Sequence, residues 1–192
     1  MKLYDISQEV FSCEIFPGDP FPEKKELERI KNGSLYNLSA FSMCAHNGTH
    51  VDAPFHFIHN GKTIDEIPLD YFIGYCTVIE HNGILSEEDA LGIIENILDR
   101  RLLFKGTTCI SKEAALIFAN SSILLIGNES QTIGNLSETM EIHQCLLSKD
   151  IVLLEGIRLS HVPAGRYLLN AAPLNLAGFD GSPCRAVLID IN

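Results

Sequence analysis

The sequence predicts a mixed α/β domain, and three observations carry that prediction. An Asn-Gly pair at Asn32-Gly33 separates two strand-like runs, residues 24–31 and 35–43, which is a strong signal for a β-hairpin. The second half alternates capped helical patterns with short apolar runs, as parallel sheets do, and the chain then returns to strand-like segments. With 192 residues, 46% of them hydrophobic, we expect one domain over residues 1–192 with a sizeable core.

The elements around the hairpin follow from local pattern. Residues 3–6 alternate as a short strand, and residues 16–20 contain Pro-Gly and Asp-Pro pairs that mark a turn-rich loop. Residues 74–80 are the next strand candidate. These segments predict an antiparallel first half that contains little helix.

A helix is predicted over residues 86–98. Ser86 is the expected N-cap because a serine oxygen accepts a free N–H of the first turn, and acidic residues follow it where the helix dipole favours them. Leu91, Ile94 and Leu98 share one face of this helix and are expected to be buried.

The remaining chain alternates helices with strands. Each predicted helix begins at a serine N-cap, and the strands are short apolar runs. Helices are predicted at 111–119 and 137–147, and strands at 101–105, 123–126, 151–154, 166–174 and 184–191.

The charge balance excludes some functions. There are 14 Lys and Arg against 25 Asp and Glu, a net charge of −11, and no basic cluster exceeds Arg100-Arg101, which disfavours nucleic-acid binding. The longest apolar run, residues 114–119, is far shorter than the roughly 20 residues of a membrane span. The acidic Asp5 lies where a signal peptide would have its apolar stretch, so we expect a cytoplasmic protein.

The cysteines form no metal knuckle or redox pair. All six lie 31 to 39 residues apart, without a close pair. We expect them to be mostly buried small apolar residues: Cys13, Cys44, Cys76, Cys109, Cys145 and Cys184.

One segment, residues 46–57, concentrates groups that bind metals. His46, His50, Asp52 and His56 fall within eleven positions, all of them even-numbered. In an extended chain even positions share a face, and residues two apart lie about 7 Å from each other, so the middle pair can meet one ion. The outer histidines cannot, because ten residues of straight strand span roughly 33 Å.

The chain must therefore bend within this segment. Gly48 and Ala53-Pro54 stand where a bulge or turn permits it. A helical alternative places His46 and His50 on one face, but Pro54 and the missing Glu after the first histidine argue against it. Imidazoles with a carboxylate suit Zn²⁺ or Mn²⁺, and are too rich in nitrogen for Ca²⁺ or Mg²⁺.

These motifs, and others along the chain, resemble those of the cyclase family of metal-dependent hydrolases, which includes bacterial kynurenine formamidases (arylformamidases) and isatin hydrolases. The similarity covers nearly the whole chain. Besides residues 46–57, the segments that carry it are 17–19 (Pro-Gly-Asp), 143–147 followed by 151–155, 162–165, 172–174 and 180–186.

The resemblance implies a site and a fold. The fold would be the mixed-sheet swivelling β/β/α domain of that family. His46, His50 and Asp52 would bind one metal ion, and Asp52 and Glu155 would bridge to a second ion held also by His143. Five protein ligands overfill one tetrahedral zinc, so either two ions share the carboxylates or a single Mn²⁺ takes five or six ligands.

The resemblance also implies an activity. The expected reaction is hydrolysis of a C–N amide bond in a small, aromatic amide by metal-activated water, with His56 as acid/base. Phe16 stands where kynurenine formamidases have tryptophan and is the expected substrate contact, while Phe55 and Phe57 are further candidate pocket walls. Glu155-Gly156-Ile157 replaces the family's Glu-Asn-Leu.

Two other functions remain open from the sequence. One is a cyclase or lactam ring-opening hydrolase that uses the same ions, and the other is a metal- or small-molecule-binding protein without turnover. Family resemblance further implies a homodimer or homotetramer that acts on a small molecule, and the charge balance and short apolar runs predict no nucleic-acid or membrane partner.

Overall fold

A computed structural model describes residues 1–190 of the chain. It contains three α-helices, Glu87–Asn96 (α1), Lys112–Ala119 (α2) and Thr139–Leu147 (α3), and several single-turn 3₁₀ helices. The strands are Lys2–Asp5 (β1), Glu23–Glu28 (β2), Leu38–Ser42 (β3), His50–Asp52 (β4), Ile73–Glu80 (β5), Gly83–Leu85 (β6), Arg101–Lys105 (β7), Thr108–Ile110 (β8), Leu125–Asn128 (β9), Val152–Glu155 (β10), Gly165–Asn170 (β11), Gly181–Pro183 (β12) and Val187–Asp190 (β13).

Nine strands form one mixed sheet, in the order β1-β13-β11-β5-β7-β9-β10-β4-β12. Its centre, β5-β7-β9-β10, is parallel, and antiparallel strands flank it on both sides. This confirms the predicted α/β class and the parallel region that the helix alternation indicated. β9 and β10 are buried along their whole length, as expected for parallel strands covered on both faces.

Alternate residues of the central strands enter two separate cores. Leu102 and Leu153 pack with the helices in one hydrophobic cluster, while Leu103 and Leu154 belong to the cluster on the other side. This division follows from the pleat, because successive side chains of a strand point to opposite faces. The central strands are therefore packed on both faces.

The predicted hairpin is present, with a wider loop than expected. β2 and β3 pair antiparallel as a two-stranded sheet of their own. A 3₁₀ turn at Ile30–Asn32 ends at Gly33, whose φ of 94° is the left-handed conformation that glycine adopts readily. The Asn-Gly pair thus closes a one-turn helix within the loop, and the paired strands are shorter than predicted.

Helix α1 begins as predicted and ends early. The Ser86 hydroxyl accepts the Asp89 N–H at 3.2 Å, which confirms the N-cap. The expectation that Leu91 and Leu98 are buried is wrong, since they are 44% and 97% exposed. The helix ends at Asn96 because Ile97 takes an extended conformation (φ −114°, ψ 136°), and Ala90 with its isoleucine neighbours forms the buried face instead.

The predicted cap of the third helix is also wrong. Helix α3 begins at Thr139, and Ser137 lies outside it. The backbone N–H groups of Ser137 and Glu138 both donate to Asn135 Oδ1, each at 3.0 Å. Asn135 therefore stabilises the turn before α3, and the N-cap position falls to Glu138, whose side chain makes no capping hydrogen bond.

Two further expectations are corrected in detail. The strands predicted at 166–174 and 184–191 are shorter in the structure, at Gly165–Asn170 (β11) and Val187–Asp190 (β13). The proline-containing segments beside them form only a single bridge at Pro173 and the short strand β12, because proline lacks a backbone donor. Ile191, predicted to end the last strand, lies outside the described residues. Of the six cysteines only Cys76 is buried, and the other five are partly exposed.

Within residues 1–190, none of the helices has the length and apolar character needed to cross a membrane.

Candidate metal centre

The histidine segment bends at the two places where its sequence permits bending. Gly48 has a φ of 63°, and a 3₁₀ helix at Pro54–His56 follows β4 directly. Only residues 50–52 are strand, so His46 lies in a turn before it and His56 in the helix after it. The bends return both outer histidines to the pair in the strand, as the spacing required.

The second group of polar residues arrives from a neighbouring strand and helix. β10 pairs antiparallel with β4, and Glu155 stands directly opposite His50 in the register. Helix α3 brings His143 to the same place, with Nε2 3.2 Å from Glu155 Oε1. Residues a hundred positions apart in sequence therefore face each other across one strand pair.

Asp52 lies at the centre of the cluster and contacts all three imidazoles. Its Oδ1 is 2.8 Å from His46 Nδ1 and 3.3 Å from His50 Nε2, and its Oδ2 is 3.6 Å from His143 Nε2. Glu155 Oε2 lies 3.5 Å from His50 Nε2. The five side chains form two triads that share Asp52, His46-His50-Asp52 and Asp52-His143-Glu155, and within each the ligand atoms lie within 4.8 Å of one another.

Backbone carbonyls fix the tautomers of two imidazoles. His50 Nδ1 donates to Gly48 O at 3.0 Å, and His143 Nδ1 donates to Thr139 O at 2.7 Å. Each hydrogen bond leaves Nε2 as the ring nitrogen that faces the two carboxylates. Metal-binding histidines are typically held in this way by a second hydrogen bond from the other ring nitrogen.

The electrostatics of the cluster favour a bound cation. Burial alone raises the pKa of the Asp52 carboxyl, but hydrogen bonds from His143, His46 and His50 outweigh it and hold this pKa well below its usual range. Burial and the nearby Asp52 carboxylate both raise the pKa of Glu155, but hydrogen bonds from His143 and His50 outweigh them and lower it. No lysine or arginine lines the cavity formed by the described residues, and besides the imidazoles Glu155 Oε1 accepts the backbone N–H of Ile133 at 2.8 Å.

The same contacts act on the imidazoles in the opposite direction. Burial lowers the pKa of His46, but hydrogen bonds to Asp180 and Asp52 dominate and raise it to about 9. For His143, burial likewise opposes contacts with Asp52 and Glu155, and the pKa rises to about 10. Buried anions that hold protonated imidazoles form a donor set in which a divalent cation fits, because the cation takes over the positive charge.

A cavity of about 390 Å³ opens onto the cluster. Two of the predicted aromatic walls line it, Phe16 and Phe57, whereas Phe55 is exposed and does not. Phe57 contacts both the His56 ring (4.5 Å between centroids) and the His143 ring (4.7 Å). The other residues that line the cavity are Asp19, Cys44, His46, His50, His56, Gln131, Thr132, Thr139, His143, Glu155 and Asp180.

His56 stands beside the two triads without belonging to either. Its ring stacks on His46, with centroids 4.0 Å apart and planes at 23°. Its Nδ1 lies 3.3 Å from Asp180 Oδ2. Asp180 also lies 2.9 Å from His46 Nε2, and the sequence analysis did not single it out as a site residue. The only signal for it was its place at the start of the 180–186 motif.

Comparison with known proteins decides the family. A family model described as "Putative cyclase" matches residues 4–98. A curated kynurenine formamidase from Salinibacter ruber is 33% identical over 99% of this chain and 98% of its own length. Another, from Paracidovorax citrulli, is 34% identical over 97% of this chain and 95% of its own length. The chain belongs to the cyclase family.

Solved structures agree with this cyclase-family assignment. A "predicted metal-dependent hydrolase" from Bacillus stearothermophilus is 28% identical, with a TM-score of 0.83 over 97% of each chain. Isatin hydrolase A from Labrenzia aggregata has a TM-score of 0.84 over 97% of this chain and 93% of its own, at 21% identity, and so shows the shared fold. This cyclase-family chain is therefore an enzyme of the hydrolase class, and the predicted resemblance is confirmed.

In this cyclase-family hydrolase, Gly156 permits the close approach of three segments behind Glu155. Its φ is +67°, and a methyl carbon there would lie 2.1 Å from Gln131 Nε2 and 2.3 Å from the Gly48 carbonyl oxygen. We expect Gly156→Ala to lower the free energy of unfolding by at least about 3 kcal/mol, the sum of left-handed strain and overpacking.

Gly178→Ala is the matched control. Its φ of +78° imposes the same backbone strain, but nothing lies within 4 Å of the added methyl group. Urea unfolding of both variants should show a loss near 1 kcal/mol at Gly178. Equal losses at the two positions would contradict the close packing behind Glu155.

Proposed function

We propose that this chain is a metal-dependent amidohydrolase that cleaves the C–N bond of a small aromatic amide, with arylformamidase-like activity. The observation that carries the proposal is the pair of triads sharing Asp52, which face a cavity where His56 is free of both triads. The kynurenine formamidases from Salinibacter ruber and Paracidovorax citrulli support it, because their similarity extends over nearly the whole chain.

The five clustered side chains are the proposed ligands. His46, His50 and Asp52 would hold one divalent ion, and His143 with Glu155 would hold a second that shares the carboxylates. Zn²⁺ and Mn²⁺ both accept this mixture of imidazole and carboxylate donors. A divalent ion bound there supplies a Lewis acid that polarises a carbonyl group and makes water more acidic.

His56 would supply the proton transfers that amide hydrolysis requires. The nitrogen of an amide leaves poorly as an anion, so it must be protonated as the C–N bond breaks. His56 would accept a proton from the attacking water and deliver it to that nitrogen, so that a carboxylic acid and an amine are released. Its partly exposed ring borders the cavity, within reach of a bound substrate.

The aromatic walls favour a planar substrate. Phe16 and Phe57 line the same cavity as the ligand cluster, and aromatic rings pack well against a second ring in offset or edge-to-face contact. Phe16 is the proposed substrate contact. A volume of about 390 Å³ lies within the range of small-molecule sites.

The proposal is tested with the purified protein, its metal content and two substrates. An N-formyl aromatic amine is offered before and after treatment with a chelator, and an isatin-type lactam is offered in parallel. We expect hydrolysis of the formyl amide, a loss of at least about 100-fold after chelation, and recovery with Zn²⁺ or Mn²⁺. Turnover that chelation leaves unchanged would refute the metal-dependent mechanism, and cleavage of the lactam alone would move the assignment to ring opening.

A further inference from the structure

One carboxylate, Asp180, connects the ligand cluster to the proposed acid/base. Its Oδ2 lies 2.9 Å from His46 Nε2 and 3.3 Å from His56 Nδ1, so a single oxygen faces both rings. The two rings also stack against each other, with centroids 4.0 Å apart. Contacts with both imidazoles also hold the pKa of Asp180 well below its usual range.

Asp180 is held in place by backbone contacts with the histidine segment. Its carbonyl oxygen accepts the Ala53 N–H at 2.9 Å, between Asp52 and the 3₁₀ helix that carries His56. The next residue, Gly181, pairs with Asp52 in the β12–β4 register. A methyl carbon on Gly181 would lie 2.6 Å from His46 Cε1, so the imidazole lies directly against this backbone.

These contacts determine which nitrogen of each ring is available. A carboxylate accepts hydrogen bonds and cannot donate, so both nitrogens that face Asp180 must carry hydrogen. His56 then presents Nε2 to the cavity as its free atom, whereas both nitrogens of His46 face carboxylates, Nε2 toward Asp180 and Nδ1 toward Asp52. In His50 and His143, backbone carbonyls take the Nδ1 hydrogens.

We propose that Asp180 is the positioning residue of the reaction: it holds His56 with Nδ1–H toward itself, so that Nε2 is the atom that exchanges the proton with substrate. The role of His56 rests on the function proposed above, whereas the orientation of its ring does not. Asp180 acts through His56 and touches no reacting atom. A carboxylate that fixes the tautomer of a catalytic imidazole is an established way to orient a general base.

An alternative explanation for the contacts of Asp180 with the two histidines is a further metal-ion site. The ligand atoms of His46, His56 and Asp180 lie within 4.8 Å of one another. The Asp180 side chain is 41% exposed, however, whereas those of Asp52 and Glu155 are 1% and 3% exposed. Hydrogen bonding by a partly hydrated carboxylate accounts for the contacts without an ion, and metal analysis distinguishes the two readings.

The kinetic test compares Asp180→Ala and Asp180→Asn in the zinc-loaded protein. Alanine removes the acceptor, and we expect a loss of about 30- to 100-fold in kcat with KM within about threefold. Asparagine keeps the shape of the side chain but offers an NH₂ group, which donates a hydrogen bond and favours the other tautomer of His56, so it should lose at least as much kcat as alanine. Asp70→Asn, an exposed carboxylate remote from these contacts, is the control for removal of one negative charge.

A double variant shows whether Asp180 acts through His56. In the His56→Ala background, Asp180→Ala should reduce kcat by less than about threefold, because the ring that it positions is absent. The metal content of Asp180→Ala should equal that of wild type. The positioning role would be overturned if adding Asp180→Ala to His56→Ala lowered kcat by the same factor as in wild type. Loss of metal from the single variant Asp180→Ala would also overturn it.

A spectroscopic readout separates this proposal from the proposed function. Imidazole ¹⁵N spectra of the zinc-loaded protein report which His56 nitrogen carries hydrogen, whether or not any amide is hydrolysed. We expect Nδ1–H in wild type and a shift toward Nε2–H in Asp180→Ala. An unchanged tautomer would refute the positioning role even if the enzyme is active, and the expected shift would support it even if neither test substrate is cleaved.

Discussion

Replacement of His56 by alanine is expected to abolish most turnover while the metal content stays at the wild-type value. The side chain lies outside both triads and is partly exposed toward the cavity, so its removal should leave the five proposed ligands in place. General acid–base catalysis by a positioned side chain contributes about 10²- to 10⁴-fold, and kcat for a formyl amide should fall by that factor. Steady-state kinetics and metal analysis of the same preparation measure both quantities.

His59→Ala is the matched control for that variant. His59 lies three residues later in the same segment, and its side chain is exposed. It should retain near-wild-type kcat. Near-wild-type kcat in His56→Ala would remove this residue from the mechanism, and loss of metal from that variant would make it a ligand instead.

Asp52→Asn is expected to have the largest effect on the metal. Asp52 belongs to both triads and contacts three imidazoles, so no other side chain in the cluster touches as many proposed ligands. The amide keeps the shape of the side chain but loses the negative charge and one strong donor oxygen. We expect metal binding to weaken by at least about 100-fold and hydrolysis to fall by about 10³-fold or more.

The measurement for this variant is metal per chain after gel filtration, followed by titration with Zn²⁺. Asp70→Asn provides the control, since it removes an exposed carboxylate of the same size. Retention of stoichiometric metal in Asp52→Asn would show that the shared carboxylate is not a ligand. Thermal unfolding of both variants without added metal checks that the change in binding does not arise from loss of the fold.

Local patterns were sufficient for much of the fold and of the ligand cluster. The serine cap of α1, the central strands and the bends at Gly48 and Pro54 follow from residue type and spacing over a few positions. The need for a bend followed from the length of the segment, because a straight strand would have held His46 and His56 too far apart to meet. Such arguments succeed because each depends on neighbours in sequence.

The features that the sequence did not reveal depend on tertiary contacts. Asp180 lies 134 positions from His46, and nothing in the spacing indicates that its carboxylate reaches that ring. The early end of α1 and the exposure of Leu98 depend on what packs against the helix, which periodicity does not report. Helix α3 begins two residues after Ser137, and Asn135 Oδ1 instead accepts the Ser137 and Glu138 N–H groups of the turn that precedes the helix.

The most direct test of the shared metal cluster is anomalous X-ray diffraction from crystals grown with Zn²⁺. We predict zinc peaks bonded at about 2.0–2.2 Å to Nε2 of His50 and of His143, with Asp52 as a common ligand. Zinc at an unrelated surface site, with the five clustered side chains bound only to one another, would contradict a shared metal cluster.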